Sequence, residues 1–201
     1  MIRLGVLISG AGSNLQAILD AIAAGKLDAE VVLVISSRPD AGGLKRATAA
    51  GIATVSLSRS VYNEPWAADE LISDKLIEAG CDYVVLAGYM RKVHPELLDS
   101  FPDRVLNIHP ALLPAFIGSE AIRQAWEYGV KVAGVTVHYV NQDYDRGAII
   151  AQRALDILPG ESLEALTMRV HHVEHQIYPE VLQLFAENRI SKDTDGRVVI
   201  R

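Results

Sequence analysis

Apolar residues recur along the chain in short continuous runs, with helical repeats of apolar positions between them. The runs show little polar alternation, which is typical of strands that are covered on both faces of a parallel sheet. They are LGVLI at 4–8, VVLVI at 31–35, TVSL at 54–57, YVVLA at 83–87 and VLNI at 105–108. Helices are predicted over 14–24, 42–50 and 65–79. This alternation predicts an α/β fold with a twisted, mainly parallel sheet and right-handed crossovers.

The pattern changes after Gly129. Two apolar runs, KVAGVTVHYV at 131–140 and AIIAQRALDI at 148–157, follow one another with only residues 141–147 between them. A helical crossover does not fit in so short a connection, and parallel pairing requires one. The two runs therefore predict a late antiparallel hairpin.

A long amphipathic pattern follows the hairpin. Ser162 is expected to cap a helix that runs to about Glu187, because acidic residues flank its positive end. The last segment, 189–201, predicts a small hairpin that turns at Asp195-Gly196. The chain shows no internal repeat.

The length, composition and net charge of the chain limit the classes of protein to which it can belong. The chain has 201 residues, of which 50% are hydrophobic and 22% charged, with a formal net charge of −6. This length predicts one domain, and the scattered Lys and Arg argue against a nucleic-acid surface. A single cysteine, Cys81, excludes an internal disulfide and is interpreted as structural. MIRLGVLISG predicts a first strand rather than a signal peptide, and no apolar run approaches a membrane span, so a cytoplasmic protein without a membrane partner is expected.

The segment SGAGSNLQ, 9–16, lies between the first strand and the first helix. Its glycines let backbone approach an anion, and free amides at a helix start bind phosphate. Leu15 replaces the third glycine of a dinucleotide fingerprint, and the Gly-Lys-Ser/Thr ending of a triphosphate loop is missing. Ser13 and Asn14 can cap the helix and contact an oxyanion, which favours a monophosphate site over the alternative of a plain strand–helix turn.

Asn107 and His109 stand at the end of the strand VLNI. Open α/β sheets bind ligands at the carboxyl ends of their strands, and strand alternation lets both side chains point the same way. An amide donor and an imidazole are the minimum for stabilising an oxyanion and moving a proton. The alternative is that Asn107 caps a turn and His109 is a satisfied buried histidine. Prolines after them favour a fixed loop, in which Leu113-Pro114 could be cis.

The segment NQDYDRGAII, 141–150, connects the late hairpin. Asp143 and Asp145 are compatible with ordinary turn residues. If the loop folds over His109, however, the Asp145 carboxylate could orient the imidazole.

His171 and His175, at i and i+4, share one face of the long helix and could bind a metal. A third protein ligand and the HExxH order are missing from this segment, so a solvated or ligand-facing edge is favoured.

Five segments carry a resemblance over nearly the whole chain. They are VLISGAGSNLQAI, LAGYMR at 86–91, NIHPALLPAFIG, GVTVHYV with DYDRGAIIAQ, and EHQIYP at 174–179. Together and in this order they resemble the phosphoribosylglycinamide formyltransferase family, also called the glycinamide ribonucleotide transformylases. The resemblance implies a Rossmann-like formyltransferase fold over 1–201, with a phosphate-binding half of about 1–100 and a folate-binding and catalytic half of about 101–201.

The resemblance also implies an activity. A formyl group passes from 10-formyltetrahydrofolate, as the donor substrate, to the amine of glycinamide ribonucleotide in purine synthesis. No metal, nucleic acid or membrane is implied, and a monomer or homodimer is expected. The implied catalytic set is Asn107, His109 and Asp145. The implied binding residues are Gly12, Ser13 and Asn14 for phosphate, Glu174 for ribose, and Met90, Arg91, Val93, Asn141, Gln142, Asp143 and Tyr144 for folate.

Four positions depart from the family pattern without removing a catalytic side chain. Ala111 replaces a common serine, Ile117 and Ala148 replace prolines, and Glu120 replaces a small residue or histidine. PAFIG and TVHYV also resemble formyltetrahydrofolate deformylase, which uses water as acceptor but lacks the SGAGSN loop, so it is the second interpretation. Methionyl-tRNA formyltransferase fits less well, since its extra domain and a basic surface are missing. A non-catalytic phosphate- or folate-binding α/β protein is the alternative from another class.

Overall fold

The computed structural model describes residues 1–201. Its larger sheet contains β1 Ile2–Ile8, β2 Ala29–Ser36, β3 Ala53–Ser56, β4 Tyr83–Leu86, β5 Val105–His109, β6 Val132–Tyr139 and β7 Ile149–Asp156. The helices are α1 Ser13–Ala23, α2 Gly42–Ala49, α3 Arg59–Tyr62, α4 Pro65–Glu78, α5 Pro95–Leu98, α6 Ala121–Tyr128 and α7 Leu163–Ala186. A separate two-stranded sheet pairs β8 Ile190–Lys192 with β9 Val198–Ile200.

The strand order of the larger sheet is β3-β2-β1-β4-β5-β6-β7. Strands β1 to β5 pair in parallel, while β6 pairs antiparallel with both β5 and β7. The predicted mainly parallel sheet, late antiparallel hairpin and long C-terminal helix are therefore confirmed. Because β2 and β4 lie on opposite sides of β1, the order reverses there, and a crevice opens at the carboxyl ends of β1 and β4.

Both faces of the sheet are covered, which explains the continuous apolar runs. Alternate residues of β1 point to opposite faces of the sheet: Val6 and Ile8 pack in one buried cluster and Leu7 packs in the other. The first cluster also contains Leu15 of α1 and several apolar residues of α7, and the second contains Ile72 of α4. A strand buried on both faces has no polar positions to alternate with apolar ones.

Helix α7 is tied to the strand ends that form the crevice. The side chain of Tyr178 is fully buried, and its hydroxyl lies 3.0 Å from the Leu86 carbonyl and 3.1 Å from the Leu106 carbonyl, to which it donates. The helix begins as expected, since Ser162 Oγ accepts a hydrogen bond from the Ala165 N–H. No helix is long and apolar enough to cross a bilayer.

Cys81 precedes β4 and is partly buried. Burial raises the pKa of its thiol to about 11, so the thiol stays protonated and unreactive at neutral pH. This agrees with the structural interpretation of Cys81.

Gly147 permits a close approach between the 141–147 loop and β6. A Cβ at this position would lie 1.7 Å from the Tyr139 carbonyl oxygen, a backbone atom. We expect Gly147→Ala to lower the free energy of unfolding by about 3 kcal/mol, and Tm by roughly 6–12 °C, in a calorimetric scan. Gly10→Ala is the matched control, because a Cβ there meets nothing within 4 Å. Equal Tm values for the two variants would show that the loop moves freely.

Candidate active site

A cleft of about 490 Å³ opens at the carboxyl ends of β1, β4 and β5. Its walls are residues 10–14, 87–90, 107–110 and 118–120, together with Ile122, Arg123, Tyr144, Asp145 and one face of α7. The glycine loop after β1, the end of β5 and the hairpin loop, which were identified separately in the sequence, therefore line one cavity.

His109 is almost fully buried at the end of β5 and contacts two loops. Its Nε2 lies 2.8 Å from the Phe116 carbonyl oxygen. Because a carbonyl only accepts, Nε2 carries a proton and donates it. Its Nδ1 lies 3.5 Å from Asp145 Oδ2, which also accepts a hydrogen bond of 3.1 Å from the Gly118 N–H. The hairpin loop thus folds over His109, which is the condition for Asp145 to orient the imidazole.

Asp145 reaches this position through unusual backbone. Its φ is +51°, in the left-handed region that Asp and Asn tolerate better than most residues. Its side chain is only 5% exposed, so the carboxylate is held among the His109 ring, the Gly118 amide and the His138 ring rather than in solvent.

Asn107 has a partner that the sequence reasoning missed. Asn107 Nδ2 lies 3.1 Å from His138 Nε2, and His138 Nδ1 lies 2.7 Å from the Tyr139 carbonyl. The carbonyl requires a proton on Nδ1, so Nε2 accepts from the Asn107 amide. Burial lowers the pKa of His138, which favours this neutral form. One Asn107 N–H is thereby fixed, and the amide plane with it.

The glycine loop differs from the prediction in how its helix begins. Gly12, with φ +73°, is the N-cap of α1, and no side chain caps the helix. The expected capping by Ser13 or Asn14 is wrong, because both residues already lie inside the helix. Their backbone N–H groups donate to no backbone carbonyl. A Cβ on Gly12 would lie 2.6 Å from Gly43 Cα, so the tight turn needs glycine.

Asn14, Glu174 and His171 form a polar group at the α7 side of the cleft. Glu174 is 4% exposed, and its Oε2 lies 2.7 Å from His171 Nδ1 and 3.4 Å from Asn14 Nδ2. Asn14 Oδ1 is buried without a partner. The hydrogen bond to Glu174 raises the pKa of His171. The His171 and His175 rings stack 6.5 Å apart, and no group of three or more His, Cys, Asp or Glu side chains is placed to hold a metal ion.

The raised pKa of His171 makes stability depend on pH. Folded protein binds this proton more tightly than unfolded chain, so the stabilisation is complete below the ordinary pKa of 6.5 and is lost as pH rises through the raised value. We expect His171→Gln to lower Tm more at about pH 6 than at about pH 9. His172→Gln, at the exposed neighbouring position, is the control. A Tm decrease of equal size at both pH values would contradict this assignment.

A second cavity, of about 40 Å³, adjoins the first. It is lined by Leu86, Tyr89, Arg91, Lys92, Val93, Asn107, His138, Val140 and residues 141–145. Of the expected folate residues, Arg91, Val93 and the 141–144 segment therefore face this cavity. Met90 instead lines the larger cleft and is 63% exposed. Asn107 and Asp145, together with Tyr89 and Tyr144, line both cavities, so the two cavities adjoin at these residues.

The four positions that depart from the family pattern lie in the loops around the cleft, and three of them make hydrogen bonds or an ion pair there. The Ala111 carbonyl accepts from Thr136 Oγ1 at 2.7 Å, and Ala148 O accepts from the Tyr139 N–H at 3.0 Å. Glu120 lines the cleft and pairs with Arg123 at 3.1 Å, and Ile117 lies in the loop that covers His109. The Leu113-Pro114 bond, which the sequence left open as cis or trans, is cis.

The fold and the cleft define a class: an open α/β protein, covered on both faces, whose cleft at the switch point of its sheet brings an amide, a histidine and a carboxylate together. Residues 2–182 match the formyl transferase family model, and the chain belongs to that family. This match, with the relatives and the solved structure described next, confirms the family inferred from the sequence and its Rossmann-like fold.

Three individual proteins show what this chain is similar to within and beyond single-domain enzymes. Phosphoribosylglycinamide formyltransferase of Escherichia coli (strain K12) is 43% identical over 185 residues, covering 92% of this chain and 87% of that protein. Glycinamide ribonucleotide transformylase 1 from Symbiobacterium toebii superposes with a TM-score of 0.95 at 50% identity, covering 100% of this chain and 94% of that one. Trifunctional purine biosynthetic protein adenosine-3 of Bos taurus is 41% identical over 98% of this chain, which spans 19% of that longer protein.

The deformylase interpretation has weaker support. A solved formyltetrahydrofolate deformylase from Pseudomonas syringae pv. tomato has a TM-score of 0.89 but only 26% identity, and this chain covers 65% of it. The relatives from Escherichia coli and Symbiobacterium toebii match at higher identity and are named as formyltransferase and transformylase of the ribonucleotide, so the transferase interpretation is favoured.

Proposed function

We propose that this chain transfers the formyl group of 10-formyltetrahydrofolate to the amine of glycinamide ribonucleotide, in purine biosynthesis. One observation carries the proposal: Asn107 and Asp145, with His109 beside them, lie where the two cavities join. A transferase needs its donor and acceptor in contact with the same catalytic groups. The names of the relatives supply the two substrates.

The ribonucleotide is assigned to the larger cleft. Gly12, Ser13 and Asn14 would hold its phosphate, because the N-terminus of α1 presents free backbone N–H groups and the positive end of the helix dipole. Glu174 would accept hydrogen bonds from the ribose hydroxyls, since its carboxylate lines the same cleft beside Asn14.

The folate donor is assigned to the smaller cavity, with one end open toward the larger cleft. The residues proposed to contact it are Met90, Arg91, Val93, Asn141, Gln142, Asp143 and Tyr144. The cavity is small in this structure, and the exposed side chains of the 141–144 segment form one of its walls. The donor is consumed in the reaction as a substrate, and the proposed mechanism uses no metal.

The proposed chemistry follows from the geometry at Asn107, His109 and Asp145. The amine nitrogen attacks the formyl carbon, and the carbonyl oxygen becomes a tetrahedral oxyanion. The second N–H of Asn107, which His138 leaves free, donates to this oxyanion, and the positive charge of protonated His109 stabilises it, since both ring nitrogens face the Phe116 carbonyl and Asp145. The amine loses one proton as its bond to carbon forms, and folate N10 gains one as its bond breaks. The His109–Asp145 pair can carry that proton between them.

The test is absorbance of the folate product when purified protein meets 10-formyltetrahydrofolate, with and without glycinamide ribonucleotide. Turnover that requires the ribonucleotide supports the transferase. Turnover with water alone would favour the deformylase, and no turnover in either condition would leave a non-catalytic binding protein.

We also infer that residues 1–201 act as one formyltransferase domain, with a phosphate-binding half of about 1–100 and a folate-binding and catalytic half of about 101–201. The cleft supports this inference, because both halves line it. A cytoplasmic location, the lack of nucleic-acid and membrane partners, and a monomeric or homodimeric state stay predictions from the sequence.

A further inference from the structure

Asp69, in the first half of α4, carries a fully buried carboxylate outside the cleft. Its Oδ2 accepts from the His94 backbone N–H at 2.6 Å and lies 3.2 Å from His94 Nδ1. Its Oδ1 has no hydrogen-bond partner. Burial is the main influence on Asp69 and raises the pKa of its carboxyl, while His94 opposes this increase. Stability alone does not favour such a group, because a buried carboxylate is destabilising unless it is well paired.

His94 ends the loop 87–94, which leads from β4 to α5. The other end of this loop is held at β1: the Ser9 N–H donates to the Gly88 carbonyl at 3.1 Å, and the Met90 N–H donates to Ser9 Oγ at 2.9 Å. Asp69 therefore anchors the second end of the loop. Between the two ends, the Tyr89 and Val93 side chains pack in the same buried cluster as Ile72 of α4.

The residues between the anchors form a wall of the smaller cavity. Tyr89, Arg91 and Val93 all line it, with Lys92. This wall is not fixed by complete polar pairing, since the Tyr89 hydroxyl and Arg91 Nε are buried without partners, as is Asp69 Oδ1. Each unpaired buried polar atom disfavours the observed arrangement, so the end anchors and the apolar packing of Tyr89 and Val93 together hold the wall in place.

The outer side of the loop contacts α3 and α4. Arg91 Nη1 donates to the Tyr62 carbonyl at 2.6 Å, and its guanidinium lies 4.4 Å from the Tyr62 ring centre. The Trp66 and His94 rings lie 5.6 Å apart. The Tyr62 and Trp66 side chains are exposed, so water weakens the two ring contacts, whereas the Arg91 hydrogen bond to the Tyr62 backbone carbonyl ties the loop to α3. The buried Asp69–His94 contact is the stronger attachment of the loop to α4.

We propose that Asp69 is a positioning residue for the formyl donor: through His94 it fixes the loop 87–94 and thereby the shape of the smaller cavity. The inference rests on the proposed function in one respect, namely that the folate occupies this cavity. Asp69 lines neither cavity and acts only through the loop. The 87–90 part of the loop lines the larger cleft and is held by Ser9, whereas Arg91, Lys92 and Val93, next to His94, line the smaller cavity. Loss of Asp69 therefore affects donor binding more than ribonucleotide binding or the chemistry at His109.

The experiment compares Asp69→Ala, Asp69→Asn and His94→Ala in steady-state kinetics with each substrate varied. Asp69→Ala removes both contacts to His94, and we expect the KM for the donor to rise about tenfold. Asp69→Asn keeps an acceptor for the His94 backbone N–H, and His94→Ala keeps that N–H as a donor. For each of these two variants we expect the KM for the donor to rise about threefold. For all three, kcat and the KM for the ribonucleotide should stay within about twofold. Asp74→Asn, an exposed carboxylate on the same helix, is the matched control and should change neither KM.

Two results would overturn the proposal: an unchanged donor KM in Asp69→Ala, or equal changes in kcat and both KM values, which a merely structural carboxylate would give. If Asp69→Ala does not fold, Asp69→Asn and His94→Ala decide by the same criterion, since both retain part of the anchor. Calorimetric binding of tetrahydrofolate gives a second readout that needs no turnover. A wild-type protein without formyl transfer would refute the proposed function alone, and the ratio of tetrahydrofolate affinities of wild type and variants would still test the anchor.

Discussion

Replacing His109 with alanine is expected to lower kcat by roughly three powers of ten. The imidazole lies beside Asn107 at the end of β5, and its Nδ1 lies 3.5 Å from the Asp145 carboxylate. Its removal eliminates the positive charge that stabilises the oxyanion and the carrier of the proton between amine and folate. The rate is measured by absorbance of the folate product at saturating concentrations of both substrates.

Ribonucleotide binding separates lost chemistry from lost folding in this variant. His109 is not among the groups assigned to phosphate or ribose, so the calorimetric Kd for the ribonucleotide should change by less than about threefold. His172→Ala, at an exposed position of α7, is the control and should keep full activity. A His109→Ala protein with more than a tenth of the wild-type kcat would exclude the proposed catalytic role.

The fold was predictable from sequence because its strands are buried on both faces. Five continuous apolar runs correspond to β1 to β5, and the short 141–147 connection identified the antiparallel pair β6 and β7. The short helices α3, α5 and α6 were not predicted. Two of them, α3 and α5, have only four residues each, too few for a helical repeat to show in the sequence.

The active site was predictable where one element carries it and less so where two elements meet. Asn107 and His109 lie two residues apart on β5, so strand alternation alone places them on one side. His138 could not be found in this way, because its role depends on the antiparallel register that sets it opposite Asn107. Asp145 was a conditional candidate, since its approach to His109 depends on a positive φ and on Gly147 beside it.

Asp145→Asn separates the charge of this carboxylate from its place in the loop, and is expected to lower kcat by roughly two to four powers of ten. Asparagine tolerates the positive φ at this position, and its amide oxygen can still accept from the Gly118 N–H. The loop should therefore keep its conformation, with Tm within about 3 °C of wild type. Only the negative charge beside His109 Nδ1 is removed, so the imidazolium loses its stabilising partner.

The matched control is Asp143→Asn, an exposed carboxylate in the same loop that lies two residues away. It removes the same charge from the same segment but has no contact with His109. Because Asp143 is a proposed folate contact, we expect its loss to change the donor KM, whereas kcat at saturating donor should stay within about twofold of wild type. If both variants lost the same fraction of kcat, the cause would be the total negative charge of the loop rather than the His109–Asp145 pair. If Asp145→Asn kept its activity, Asp145 would only support the loop, and His109 would have to exchange its proton with solvent.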